Sequence, residues 1–118
     1  MLTNFEGKQF LDAAEQILRI ENLTEELVRT SVGRFYYAAF LEARESARIT
    51  NNSGSVHEDV IRYYSSRNPT LSNRLVSLKR KRAKADYDLS DSVTERDARD
   101  AKRLAYKIVS SLNERPKR

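Results

Sequence analysis

The stretch Thr24-Glu25-Glu26-Leu27-Val28-Arg29-Thr30-Ser31-Val32-Gly33-Arg34-Phe35-Tyr36-Tyr37-Ala38-Ala39-Phe40-Leu41-Glu42-Ala43-Arg44-Glu45-Ser46-Ala47-Arg48 decides how this chain folds. Val28, Ser31, Phe35, Ala38 and Leu41 fall on one line of a 3.6-residue helix, and Gly33, Tyr36, Phe40, Ala43 and Ala47 on a second. A helix apolar on two sides is expected at the centre of a bundle. Glu25 and Glu26 after Thr24 favour a helix start, although Leu27 stands where a full capping box has Glu. Gly33 and the alanines are expected to let neighbouring helices approach closely. Tyr36 and Tyr37 read as core or interface residues whose hydroxyls reach polar partners.

The flanking segments carry helical periodicity too. Residues 5–20 place Phe10, Ala13, Ala14, Ile17 and Leu18 on one stripe. Asn51-Asn52-Ser53-Gly54-Ser55 is a loop by its turn-forming residues. A short helix with Val60, Ile61, Tyr63 and Tyr64 is expected from Ser55 or Val56 to Asn68-Pro69. Leu71, Leu75 and Leu78 begin another helix, expected to reach about Ala85 before a polar loop over 86–91. Thr94 is a candidate cap for a last helix whose inward stripe is Ala98, Ala101, Leu104, Ala105, Ile108 and Leu112, with Asp97 suited to its amino-terminal dipole. The expectation is an all-α antiparallel bundle of four to five helices in one domain over 1–118, with 113–118 a frayed basic tail.

Composition narrows the function classes. Of 118 residues, 39 % are hydrophobic and 33 % charged, which suits solvated amphipathic helices rather than a disordered chain. Without cysteine there is no disulfide framework or thiolate chemistry, and a reducing cytoplasm fits. No apolar run approaches a membrane span and the amino terminus lacks a signal-peptide pattern, so a cytoplasmic, non-membrane protein is expected. No histidine cluster, glycine-rich phosphate loop or nucleophile elbow is present, so no metal or cofactor is expected. Asn51-Asn52-Ser53 fits a glycosylation pattern that a cytoplasmic chain would not use.

The net charge of +5 is unevenly spread. Between positions 74 and 84 lie six basic residues, Arg74, Lys79, Arg80, Lys81, Arg82 and Lys84, and no acidic one. Such a run is either a phosphate footprint or a solvated helix face. Arg82 also continues the inward line of Leu71, Leu75 and Leu78. A charge there needs a carboxylate, a solvated groove or another subunit, and Asp86, Asp88, Glu42 and Glu45 are the candidate partners.

Two segments carry a family resemblance. Ser31-Val32-Gly33-Arg34-Phe35-Tyr36-Tyr37-Ala38-Ala39-Phe40-Leu41-Glu42-Ala43-Arg44 resembles the second-helix signature of HEPN proteins, in particular a small stand-alone branch with a Tyr-Tyr-Ala pattern. Downstream, Arg82-Ala83-Lys84-Ala85-Asp86-Tyr87-Asp88 is similar to that branch's Arg-x-x-Ala-Asp-Tyr-Asp motif, and His57 falls where its short middle helix often begins. The resemblance implies a helical bundle that dimerises with its polar motifs across a shared groove. It also implies a role in toxin–antitoxin or antiphage systems, as a metal-independent ribonuclease or as the partner of a nucleotidyltransferase. The family's catalytic pattern is Arg, four to six residues, then His, whereas here the fifth residue after Arg82 is Tyr87.

That departure bears on the chemistry. Metal-independent RNA cleavage needs one group to take the 2′-hydroxyl proton and another to protonate the leaving oxygen, tasks suited to imidazole. Asp86 is a candidate base, Arg82 a candidate stabiliser of phosphoryl charge, and Tyr87 a poor base at an ordinary phenol pKa. His57, the chain's one histidine, is either a packing residue or a groove residue brought in by folding.

Two functions follow. In the first, a homodimer binds RNA with Arg74, Lys79, Arg80, Lys81 and Lys84 on phosphate, while Arg82, Asp86 and Tyr87 line a groove with Arg34, His57 and Asp88, with or without cleavage. In the second, the chain is a non-catalytic interaction subunit that dimerises or holds a nucleotidyltransferase or defence effector. Duplex-DNA recognition has less support, because no helix-turn-helix spacing is present.

Overall fold

A computed structural model of the chain describes residues 6–51 and 53–113. Five helices follow one another: α1 (Gln9–Leu18), α2 (Glu25–Ala47), α3 (Val56–Arg67), α4 (Pro69–Tyr87) and α5 (Glu95–Asn113). No strand occurs among the described residues, and the fold is an all-α bundle. Of the frayed basic tail expected over 113–118, Asn113 is instead the last residue of α5, and 114–118 lie outside the described residues, as does Phe5.

Helix α2 is the axis of the bundle and packs on all four others. Its two apolar lines explain this: Val28, Ser31, Val32, Phe35, Tyr36, Ala38, Ala39, Phe40 and Ala43 are all buried. Ser31 survives there because its hydroxyl donates to the Val28 carbonyl at 2.8 Å, one turn back along the helix. Leu71, Leu75 and Leu78 of α4 and Ala98, Ala101, Ala105 and Ile108 of α5 close the core from the other helices. On α1 the inward residues are Leu11 and Ala14, with Phe10 and Leu18 partly covered.

Helix ends follow local chemistry. The Thr24 hydroxyl accepts from the Leu27 amide at 3.4 Å, and Arg48 turns left-handed at φ 58° to end α2. Thr94 and Asp97 cap α5 reciprocally, the Asp97 carboxylate accepting from the Thr94 amide at 2.8 Å and the Thr94 hydroxyl from the Asp97 amide at 3.3 Å. The bond from the Thr94 amide holds the Asp97 carboxyl below its ordinary pKa. Asn68 alone separates α3 from α4. Its amide donates to Tyr64, its side-chain oxygen accepts from the Leu71 amide at 3.1 Å, and its side-chain nitrogen donates to Ser111 of α5 at 3.4 Å.

Three expectations need correction. Helix α1 is shorter than residues 5–20, beginning at Gln9 and ending at Leu18. Helix α4 runs through Asp86 and Tyr87 instead of stopping near Ala85, because the Asp88 amide still donates to the Lys84 carbonyl at 3.1 Å. Gly33 is not a helix-packing glycine: the atoms near an added Cβ would be the Asp86 carboxylate oxygens, at 3.5 and 3.8 Å. The close approach is made by Gly7, where a Cβ would sit 2.7 Å from that of Leu41.

Candidate functional site

The polar motif of α4 meets α2 and α3 at one connected cluster. Arg82 follows the leucine line of α4 but emerges at the edge of the core, with about 32 % of its side chain exposed. Of its four candidate partners the structure selects Asp86, one turn on, with Arg82 Nε donating to the Asp86 carboxylate at 2.9 Å. The guanidinium carbon stands 5.8 Å from the centre of the Tyr36 ring and 5.6 Å from that of Tyr87. The Tyr36 hydroxyl lies 2.6 Å from His57 Nδ1. His57 stacks on Phe40 with ring centres 4.0 Å apart. Folding therefore links Arg82, Asp86, Tyr87 and His57, through a tyrosine that sequence reasoning assigned to packing.

Electrostatics fixes the state of these groups. Burial holds the His57 imidazole below its ordinary pKa, with Lys79 and Arg82 adding repulsion against the opposing pull of Glu58. Burial also pushes the Tyr36 hydroxyl well above the ordinary phenol range. At neutral pH the pair is an uncharged phenol and an uncharged imidazole sharing one hydrogen bond.

The lowered His57 pKa has a sign that can be tested. The unfolded chain binds a proton at His57 more readily than the folded one, so this contribution to stability is full above about pH 6.5 and is lost as pH falls towards the folded-state pKa. Urea unfolding near pH 7.5 and near pH 5.5 should show the wild type losing stability on acidification over a range above the titration of ordinary carboxylates. The His57→Asn variant should lose distinctly less; equal losses would contradict the assignment.

Beside this cluster is a cleft of about 330 Å³ lined by Thr30, Gly33, Arg34, Tyr37, Arg82 and Asp86. Arg34 stands over the Phe10 ring at 5.5 Å, and Tyr37, 38 % exposed, meets the same ring edge-on. Gly33 keeps the cleft floor bare. Gly33→Ala is expected to raise stability by about 0.5–1 kcal/mol, the usual cost of a mid-helix glycine. The added methyl group makes an ordinary contact with Asp86. Thermal denaturation would measure the gain.

The remaining predicted residues scatter. Around α4, Lys79 pairs with Glu58, Lys81 with Asp100 at 4.0 Å and Lys84 with Asp91 at 3.6 Å. Arg74 and Arg80 have no carboxylate partner among the described residues, and Arg74 faces a separate trough against α5. The run that is uniformly basic in sequence is therefore wrapped around the helix and largely countered by acids from α3, α5 and the following loop. Asp88 turns away from the groove: its carboxylate accepts from the amide and hydroxyl of Ser90, at 3.2 and 2.7 Å, and these bonds hold its pKa down.

Sequence reasoning missed Arg29. With 13 % of its side chain exposed, it donates to the carbonyls of Lys84, Ala85 and Asp88 at 3.3, 3.0 and 3.0 Å, and also to that of Asp91. Glu25 pairs with it at 2.9 Å and accepts from the Val93 amide at 3.2 Å. Arg29 is thus the pin that ties the end of α4 to α2. The Glu25-x-x-x-Arg29 spacing was its signal.

Among the described residues no group of three or more His, Asp or Glu side chains is placed to hold a metal ion, and no helix is long and apolar enough to cross a membrane. No protein-family model, curated protein or solved structure matches this chain.

Proposed function

We propose that this chain is an RNA-directed domain of the HEPN type from a toxin–antitoxin or antiphage system, and that single-stranded RNA is held at the Arg82 cleft of a homodimer. One observation carries the reading: Arg82, anchored through Nε to Asp86, lies 5.8 Å from the centre of the Tyr36 ring and 5.6 Å from that of Tyr87, and lines a cleft that also holds Arg34 and Tyr37. Anchoring at Nε leaves the terminal guanidinium nitrogens for a phosphate. The exposed Tyr87 and Tyr37 rings offer faces on which unpaired bases stack.

Binding has more support than cleavage. His57 joins the cluster as an uncharged imidazole and so supplies the residue type that the Arg-to-His spacing lacks, but its ring is stacked on Phe40 and its Nδ1 is taken by the Tyr36 hydroxyl. The second reading, a partner-holding subunit for a nucleotidyltransferase or defence effector, is favoured by the countered charges of α4. It is also favoured by Tyr87 and Leu89, which are 70 % and 83 % exposed at the end of α4.

The test is retention and cleavage of labelled single-stranded RNA in chelator across a salt series. Arg82→Ala should weaken retention about tenfold, one charged hydrogen bond's worth, and wild-type retention should fall steeply with salt. Cleavage abolished in the variant would add the catalytic step. Retention that ignores both salt and Arg82 would overturn the RNA reading and leave the partner-holding one.

A further inference from the structure

The trough between α4 and α5 shares no lining residue with the Arg82 cleft. It is open, about 740 Å³ in volume, and bordered by Arg74 from α4 and by Arg99, Lys102, Arg103 and Lys107 from α5, with no carboxylate in its lining. Arg99, Lys102 and Arg103 bridge to Glu95, Glu15 and Asp100 at 3.5, 3.1 and 3.3 Å. Arg74 and Lys107 have no carboxylate partner among the described residues. The wall between these charges is mainly carbon: the Tyr106 ring, whose hydroxyl donates to Glu15 of α1, and the stems of the long cations.

We propose that this trough receives an acidic amphipathic helix of a partner protein. Arg99, Arg103 and Lys107 recur every four residues, about 6 Å of rise per step. Carboxylates four residues apart on a helix laid alongside repeat at the same rise, so successive pairs stay in register. The carbon wall takes an aliphatic stripe at i, i+4 and i+7, the groove mode of helix recognition. From Arg99 to Ser111 the trough follows about 18 Å of α5, a little over three helical turns. A single strand would place phosphates on the cations but has one ring here to stack on, the half-buried Tyr106 tied by its hydroxyl to Glu15. The rest of the carbon wall is alkyl stem, which suits an aliphatic stripe, so charge and apolarity together favour the acidic helix.

The test uses the full chain and three labelled probes. These are a peptide of roughly five helical turns with a leucine stripe flanked by glutamates at four-residue spacing, a shuffled peptide of the same composition, and a uridine oligonucleotide. The patterned peptide should bind, the shuffled one at least about tenfold more weakly. The double variant Arg74→Glu/Lys107→Glu, which breaks no ion pair of the described residues, should lose at least about tenfold in peptide affinity with its helical content unchanged. Arg82→Ala should leave peptide binding intact, so this surface and the RNA cleft stand or fall separately. Equal binding of both peptides, binding of neither, or a double variant that binds as the wild type does would each overturn the proposal. Loss of oligonucleotide retention in the double variant, without peptide binding by the wild type, would reassign the trough to nucleic acid.

Discussion

Phe35→Ala is expected to destabilise the fold by about 3–5 kcal/mol, the usual range for truncating a buried phenylalanine. Phe35 has no exposed surface and sits mid-way along α2, the helix that every other helix packs against. The cavity would therefore open at the junction of several elements, where no single helix can shift to fill it. Urea denaturation followed by circular dichroism would measure the loss, and a cost below about 1.5 kcal/mol, the range of a tolerated core swap, would mean that the bundle collapses around the gap.

Arg29→Ala is the second large effect, about 2–3 kcal/mol, from charged hydrogen bonds lost and carbonyls left without their donor. Arg29 serves four carbonyls at the end of α4 and in the following loop, and bridges to Glu25. Its partial exposure lets water replace some of these bonds, which places the loss below that of a fully buried charge pair. Amide hydrogen exchange should speed first at residues 84–93. Uniform acceleration across the chain would show instead that Arg29 supports the whole bundle equally. Because Arg82 and Asp86 ride on the same end of α4, the proposed RNA reading further predicts weaker retention in this variant.

The helices were legible because their apolar spacing is regular: the lines through Phe35 and Tyr36 on α2 and the alanine stripe of α5 correspond to buried faces. The Thr94–Asp97 cap was legible for the same reason, since capping needs only neighbours in sequence. What spacing hides is contact between segments. Tyr36 reads as packing from its own helix, and only the docking of α3 brings His57 to its hydroxyl. The basic run of α4 reads as one positive face because its counter-charges, Glu58, Asp91 and Asp100, come from elsewhere in the chain. Gly33 reads as a packing glycine because sequence does not say that the space beside it is a cleft.

The single-residue joint at Asn68 sets how this domain tolerates rebuilding. One side chain and its backbone bind α3, α4 and α5 at once, so the elbow leaves no slack for added residues. A tag, fused domain or relocated pair of termini placed there would separate the helix that carries His57 from the one that carries Arg82. The same graft in the turn-rich connection between α2 and α3 spares both helices, which makes that connection the place to attach a reporter.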